Sequence, residues 1–357
     1  MSTTQATSGR SLPEDLIMEI LPRLPVKTLL RFKSVSKSLH NLIINPDFVK
    51  LHLIRSRIQN PTVALLRSGH NFFASIDLDQ PQRPVVQVDT HPDVIKLLYP
   101  PKIIGICNGV VCFRKLGEFV LYNPATRAYK QVPKPNVSPD RYRFHDEFVY
   151  DSISDDFKIF RFMESYDEKT RMNSESYMYN LKDNSWSEIA DPPPNFHPQR
   201  SCNHIASNYL YWIAFNRDSK NAKVLLVRFD VSSNTYEEMS LPPSVAMHSL
   251  CWCPRLGVLN GRLHITRNGK KPEIWMLKED NCWTLVFRCS EWEYPVKRCL
   301  FYSKDGRKIF LGLRHKVRKF ICCDLDSQTT SVVEILGLPE GPTFKALPWA
   351  ESLVPLI

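Results

Sequence analysis

The rhythm of apolar positions changes near residue 60. Across 11–58 they recur every three or four residues, as one face of an α-helix requires. Leu16, Ile17, Ile20, Leu21 and Leu24 form the first run. Ser11 and Glu14 stand at capping-box spacing before it, with Pro13 in the first turn. Pro22 and Pro25 punctuate, and Pro25 opens a second helix carrying Val26, Leu29, Leu30 and Phe32. A third helix is expected near Ser36 to Ile44, with Leu39, Leu42 and Ile43. Asn45-Pro46 starts a short fourth through Phe48, Leu51 and Leu53. So small a unit shelters little of its own surface. Its surplus apolar faces predict a partner; the alternative is packing on the rest of the chain. The partner reading fails if the chain's own sheets enclose Leu24, Leu29 and Leu30.

After residue 60 the alternation has period two, in short runs at 63–66, 72–78, 103–106, 110–113 and 119–122. Asn108-Gly109, Asn260-Gly261 and Asp305-Gly306 separate runs as tight hairpin turns do. Proline-rich joints at 192–194 and 242–243 mark loops.

A repeat organises this region. Apolar positions precede an anchor, and an aromatic follows six positions later: Asn123 with Tyr129, Asn180 with Trp186, Asp230 with Tyr236. Weaker copies are Leu277 with Trp283, and Asp324 with Thr330 in the aromatic slot. Asp77 is a degenerate first copy. A unit of about 50 residues holding four strands has the size of a kelch-type blade. The anchor is expected to end a strand by bonding its own turn, and the aromatic to pack on the next blade. The fold class is therefore α+β in two domains: a disordered stretch at 1–10, a helical unit at 11–58, and a propeller-like all-β domain of about six blades at 61–357. An irregular β-sandwich is the competing architecture.

Composition narrows the function. Hydrophobic residues at 43% and charged residues at 24% suit a folded soluble protein. The polar opening lacks a signal-peptide core, and no stretch approaches the ~20 apolar residues of a membrane span. A protein of the cytoplasm or nucleus is expected, so the ten cysteines read as small buried hydrophobes rather than a disulfide framework. The net charge of +10 favours acidic partners. Its basic residues are scattered, so nucleic acid is not the expected ligand.

Several segments resemble a known family. Residues 12–43, LPEDLIMEILPRLPVKTLLRFKSVSKSLHNLI, are similar to a plant F-box. ICNGVVCF at 106–113, YNPATRAYKQVP at 122–133 and the closing residues 351–354 resemble the plant F-box-associated domain. Leu39 stands where that family usually has Trp. The resemblance implies an SCF-type ligase, in which the F-box docks a Skp-family adaptor and through it cullin and RING subunits. The second domain would capture a protein substrate. It places Leu12, Pro13, Ile20, Leu24, Pro25, Leu29, Leu30 and Val35 at the adaptor. Pro25→Ala with Leu29→Ala is then expected to abolish adaptor capture without unfolding the β domain.

No catalytic or cofactor-binding constellation stands out. His248, Cys251 and Cys253, and Cys202 with His204, lack paired zinc spacing. There is no G-x-S-x-G elbow and no glycine-rich phosphate loop. A non-catalytic receptor with no cofactor or metal is expected. A kelch-type oxidase, a nucleic-acid binder and an S-locus-type F-box protein recognising a ribonuclease are the alternatives. Substrate contacts are expected on loops at 166–174, 195–200 and 216–221.

Overall fold

The computed structural model describes residues 13–356, apart from 60–62, 69–71, 84, 88–101, 116, 136–141, 166–173, 193–195, 201–204, 207, 217–222, 247–253, 269–270, 280, 290–295, 314–318 and 336–344. The stretch expected to be disordered and the two Cys/His groupings lie outside them.

Four helices come first: α1 (Glu14–Ile20), α2 (Val26–Phe32), α3 (Lys37–Ile44) and α4 (Pro46–Gln59), with a 3-10 turn at Leu21–Arg23. The helix α1 starts later than a Ser11 cap implies. Its N-cap is Pro13, with no side-chain cap bond, because proline's preset φ starts the helix without a donor of its own. Ser36 does cap α3, its Oγ accepting the Leu39 N–H at 3.1 Å. Asn45 Oδ1 accepts the Asp47 N–H at 2.8 Å as α4 begins. That helix runs 14 residues, longer than the short one expected.

The remaining strands alternate with turns in antiparallel meanders. After β1 (Val63–Ser68), β2 (Phe72–Asp77) and β3 (Val86–Gln87) come β4 (Lys102–Cys107), β5 (Val110–Lys115), β6 (Glu118–Asn123) and β7 (Ala128–Val132). The third sheet holds β8 (Tyr142–Asp151), β9 (Asp156–Ser165), β10 (Ser174–Asn180) and β11 (Ser185–Glu188). The fourth holds β12 (Phe196–Arg200), β13 (Ile205–Ala206), β14 (Tyr209–Asn216), β15 (Lys223–Asp230) and β16 (Thr235–Met239). Residues 196–200 are thus a paired strand, not the loop expected there, because β12 completes the ladder beside β14. A one-turn helix, α5 (Pro243–Ala246), precedes β17 (Arg255–Leu259), β18 (Arg262–Arg267), β19 (Glu273–Glu279) and β20 (Cys282–Arg288). The sixth sheet is β21 (Val296–Tyr302), β22 (Lys308–Leu313), β23 (Lys319–Asp324) and β24 (Thr329–Glu334), and β25 (Lys345–Pro348) ends the series.

Among the described residues these strands make six sheets, and the first runs β25-β1-β2-β3. One edge of the first sheet therefore comes from the far end of the chain. Six apolar clusters each draw on two adjacent sheets, and the ring closes where Ile76 and Leu78 meet Phe301, Phe310 and Phe320. The chain has a helical unit followed by a β-propeller. Asp77 belongs to the closing sheet, whose strands come from both ends of the chain, and this explains its degenerate repeat.

The repeat has a physical basis. Three anchors end a third strand and accept turn N–H groups: Asn123 Oδ1 from Ala125 at 3.0 Å, Asp230 Oδ1 from Ser232 at 2.7 Å, Asp324 Oδ1 from Ser327 at 2.9 Å. Four residues after each of the five later anchors the backbone turns left-handed, at Arg127, Asn184, Asn234, Asn281 and Gln328. The aromatic reaches the preceding sheet rather than the next. Trp186 Nε1 donates to Pro133 O at 2.7 Å, Tyr236 Oη to Ala190 O at 3.1 Å, and Trp283 Nε1 to Ser240 O at 2.8 Å. Each acceptor lies just past the outer strand of the earlier sheet, where a carbonyl has left its ladder. Asn234 and Asn281 accept the N–H of the same residues, Ala190 and Ser240, at 3.1 and 2.7 Å. Pro133 has no N–H to give, and Asn184 Oδ1 instead accepts from Tyr179 Oη at 2.8 Å.

Candidate functional site: the uncovered helical face and its joint with the propeller

The helical unit has a small core of its own. Leu21, Val26, Leu29, Ile43, Phe48 and Val49 pack together, and Leu353 from the end of the chain completes the cluster. Leu29 is 0% exposed, so its side chain is not part of a free face. This corrects its expected place at the adaptor. Helices, the 353–354 segment and Ala125 of the β6–β7 turn surround its cluster, not a β-sheet. Leu24 and Leu30 are half-buried against the same cluster. Pro13 and Pro25 are exposed, as are Ile20 at 48% and Val35 at 67%, and Leu12 lies outside the described residues. Leu16 and Met18 are also exposed, and Leu16, one turn before Ile20, shares its side of α1. Helical spacing singled out Leu16 in the sequence; Met18 falls off that stripe.

Below this face the unit is fastened to the propeller at several points. Lys50 Nζ pairs with Asp155 Oδ2 at 2.7 Å, and Arg57 Nη2 donates to Asn108 Oδ1 at 2.5 Å. Hydrogen bonds from Lys50 and from the Tyr150 hydroxyl hold the Asp155 carboxyl below its usual pKa. His52, buried in α4, lies with Nε2 3.0 Å from Leu24 O, and burial pushes its pKa down, which favours the neutral ring.

The last residues form the centre of the joint. Trp349 Nε1 donates to Gly109 O at 3.1 Å. Glu351 Oε2 accepts the Val26 N–H at 3.2 Å, at the first turn of α2. Asn123 Nδ2 donates both to Ser352 O at 3.0 Å and to Val354 O at 2.9 Å. Between those two carbonyls the Leu353 side chain enters the helical core. Gly109 is tightly constrained: its φ is +81°, and a Cβ there would stand 2.4 Å from Ser352 Cβ. The three segments that resemble the F-box-associated domain, at 106–113, 122–133 and 351–354, thus meet at one place. Reading them separately gave no sign that they converge.

Among the described residues no three of His, Cys, Asp and Glu gather as a metal site, and no helix is long and apolar enough to cross a membrane. Of the loops expected to touch substrate, residues 166–173, 195 and 217–221 lie outside the described residues.

Comparison with known proteins matches this arrangement. Residues 10–51 match the F-box domain, and 61–346 match the F-box associated beta propeller domain. The chain is similar to F-box protein CPR1 of Arabidopsis thaliana, 30% identical over 93% of this chain and 86% of that one. It is 31% identical to F-box protein At2g21930 of the same plant, over 85% of this chain and 81% of that one. It is 25% identical to the F-box/kelch-repeat protein At3g23880, over 78% of each. With an exposed helical face, a closed ring of six sheets and matches spanning both parts, the chain belongs to the F-box proteins that carry an F-box associated beta-propeller domain.

Proposed function

We propose that this chain is the substrate-recognition subunit of an SCF-type cullin–RING ubiquitin ligase, with no catalytic site of its own. F-box proteins are typically non-catalytic adaptors, and an F-box domain implies binding to a Skp-family adaptor. The observation that carries the reading is the set of uncovered apolar side chains: Leu16, Met18, Ile20 and Val35 are between 36% and 67% exposed on a unit that has already built its own core. Such a patch on small helices is the mark of a partner surface. A stable contact of this kind buries about 1,600 Å² in total. Leu12, Pro13, Ile20, Leu24, Pro25, Leu30 and Val35 form the docking surface, with Leu29 supporting it from beneath.

The propeller supplies the second contact. The strand β9 starts at Asp156, beside the Asp155 that pairs with Lys50, and ends nine residues later at Ser165. At ~3.3 Å per residue, that end lies about 30 Å from the helical joint. This far end of the ring is where a protein substrate is held, clear of the adaptor. The gain in rate is positional, since tethering raises effective concentration.

The test is capture of the full-length chain on an immobilised Skp-family adaptor. Ile20→Asp with Val35→Asp is expected to weaken capture at least tenfold and leave thermal unfolding of the propeller unchanged. Capture at wild-type strength would overturn the assignment. The Pro25→Ala, Leu29→Ala pair is a poorer probe, because Leu29 is a core residue.

A further inference from the structure

Residues 349–354 belong to neither part alone. They alternate between the two bodies in sequence order. Trp349 bonds the β4–β5 turn at Gly109. Glu351 bonds α2 at Val26. The Ser352 carbonyl returns to the propeller at Asn123, Leu353 enters the helical core, and the Val354 carbonyl returns to Asn123. Ser352 and Asn123 are 0% exposed and Leu353 is 5% exposed, so water is kept from the contacts these three make.

We infer that this C-terminal strap is the positioning element of the ligase: it locks the propeller in one orientation to the adaptor-binding helices, with Asn123 as the lock. The inference rests on the receptor role proposed above. Asn123 is suited to the task by chemistry the aspartate anchors of the repeat lack. Asp230 and Asp324 occupy the same anchor position and accept turn N–H groups, as Asn123 does. Only an amide can also donate, and Asn123 Nδ2 spends both its hydrogens on the strap. The contact points on the propeller side are a turn tip and a strand end, both in the second sheet, whose inner apolar side also takes Leu347 and Trp349. The strap therefore leaves β25, which is bonded into the closing sheet, with little slack before it reaches the helices. A receptor held in this way presents a bound protein's lysines at a fixed distance from the adaptor. Without the lock, the same two binding surfaces would remain but their separation would vary.

The test uses Asn123→Asp in the full chain. Aspartate keeps the turn acceptor, as at Asp230 and Asp324, and removes the donor to Ser352 and Val354. A second variant ends the chain at Ala350, which leaves β25 intact. Hydrogen exchange is read by mass spectrometry, and adaptor affinity is measured separately. The chain is then assembled with recombinant Skp-family adaptor, cullin, RING subunit and the ubiquitin-activating and -conjugating enzymes, with ATP, and its self-modified lysines are mapped. In both variants exchange in α2 and in what remains of 349–354 should rise at least tenfold, with exchange in β5 and β6 unchanged. For Asn123→Asp, adaptor affinity should stay within about threefold, while the modified lysines change from a restricted set to a broad one. Unchanged exchange, or an unchanged lysine set in a variant whose strap has been released, overturns the inference. If the wild-type chain does not bind the adaptor, the receptor role fails, and the exchange arm alone decides whether the strap locks the two bodies.

Discussion

The Val26 N–H donates to Glu351 Oε2 across 325 residues of sequence. The helix α2 begins after Pro25, which offers no side-chain cap, so one of its free N–H groups is satisfied by a carboxylate from the far end of the chain. A negative charge also favours that end of a helix dipole. Glu351→Ala is expected to destabilise α2 by about 1 kcal/mol, the usual worth of an N-cap. Faster hydrogen exchange confined to α2 and the strap would show it; exchange rising equally throughout the propeller would count against it.

Leu29 and Val35 are both apolar members of the F-box, with opposite roles. Leu29 is fully enclosed and Val35 is 67% exposed. Leu29→Ala should destabilise the helical unit by about 2–5 kcal/mol through a cavity. Val35→Ala should leave stability within about 0.5 kcal/mol, because it removes no packing. Circular dichroism of helix content during urea unfolding separates the two. Equal destabilisation would contradict the burial seen here.

Thr330 occupies the slot where other repeats place an aromatic. Gln328 Oε1 already accepts the Arg288 N–H at 2.9 Å, as Asn234 and Asn281 do for Ala190 and Ser240. The missing half of this clamp is a donor to the Arg288 carbonyl. Thr330 is exposed, so there is room for a ring. Thr330→Tyr is expected to stabilise the seam between the fifth and sixth sheets by about 0.5–1.5 kcal/mol, the net worth of one hydrogen bond. A raised midpoint in chemical denaturation checks it, and a lowered midpoint rejects the shared geometry.

Glu273 supports the fifth sheet through a buried network. Burial alone would raise its pKa, but hydrogen bonds from Ser244, Arg267 and Trp275, with the Arg267 charge, outweigh this and hold the carboxyl at about 2, against 4.5 unperturbed. Because the folded value lies below the unfolded one, the stabilisation is fully present above pH 4.5. It is lost as pH falls toward 2. Glu273→Gln should therefore cost most stability near neutral pH and progressively less below 4.5. A stability difference from wild type that does not shrink in acid would refute the linkage.

Much of the architecture was legible locally. The change from helical to period-two spacing marks the passage from α4 to β1 because each backbone geometry imposes its own repeat. The anchors were readable because an Asx side chain bonds its own turn within three residues. Asn108-Gly109 and Asn260-Gly261 were readable because both residues of each pair take positive φ. The direction in which the aromatics reach was not. Whether Trp186 faces an earlier or a later sheet depends on how the ring closes, which a six-residue spacing does not encode.

The sequence by itself determined the kinds of element, their repeat and the family, because these rest on contacts between near neighbours or on contiguous motifs. Only the tertiary structure decided which apolar residues of the helices stay uncovered. Amphipathic spacing says that Leu29 and Ile20 avoid water, but not which of them the chain itself can bury. Leu353 makes that choice for the core around Leu29, and it lies more than 300 residues downstream. Nothing in local propensity joins the two ends; closure of the ring through β25 does.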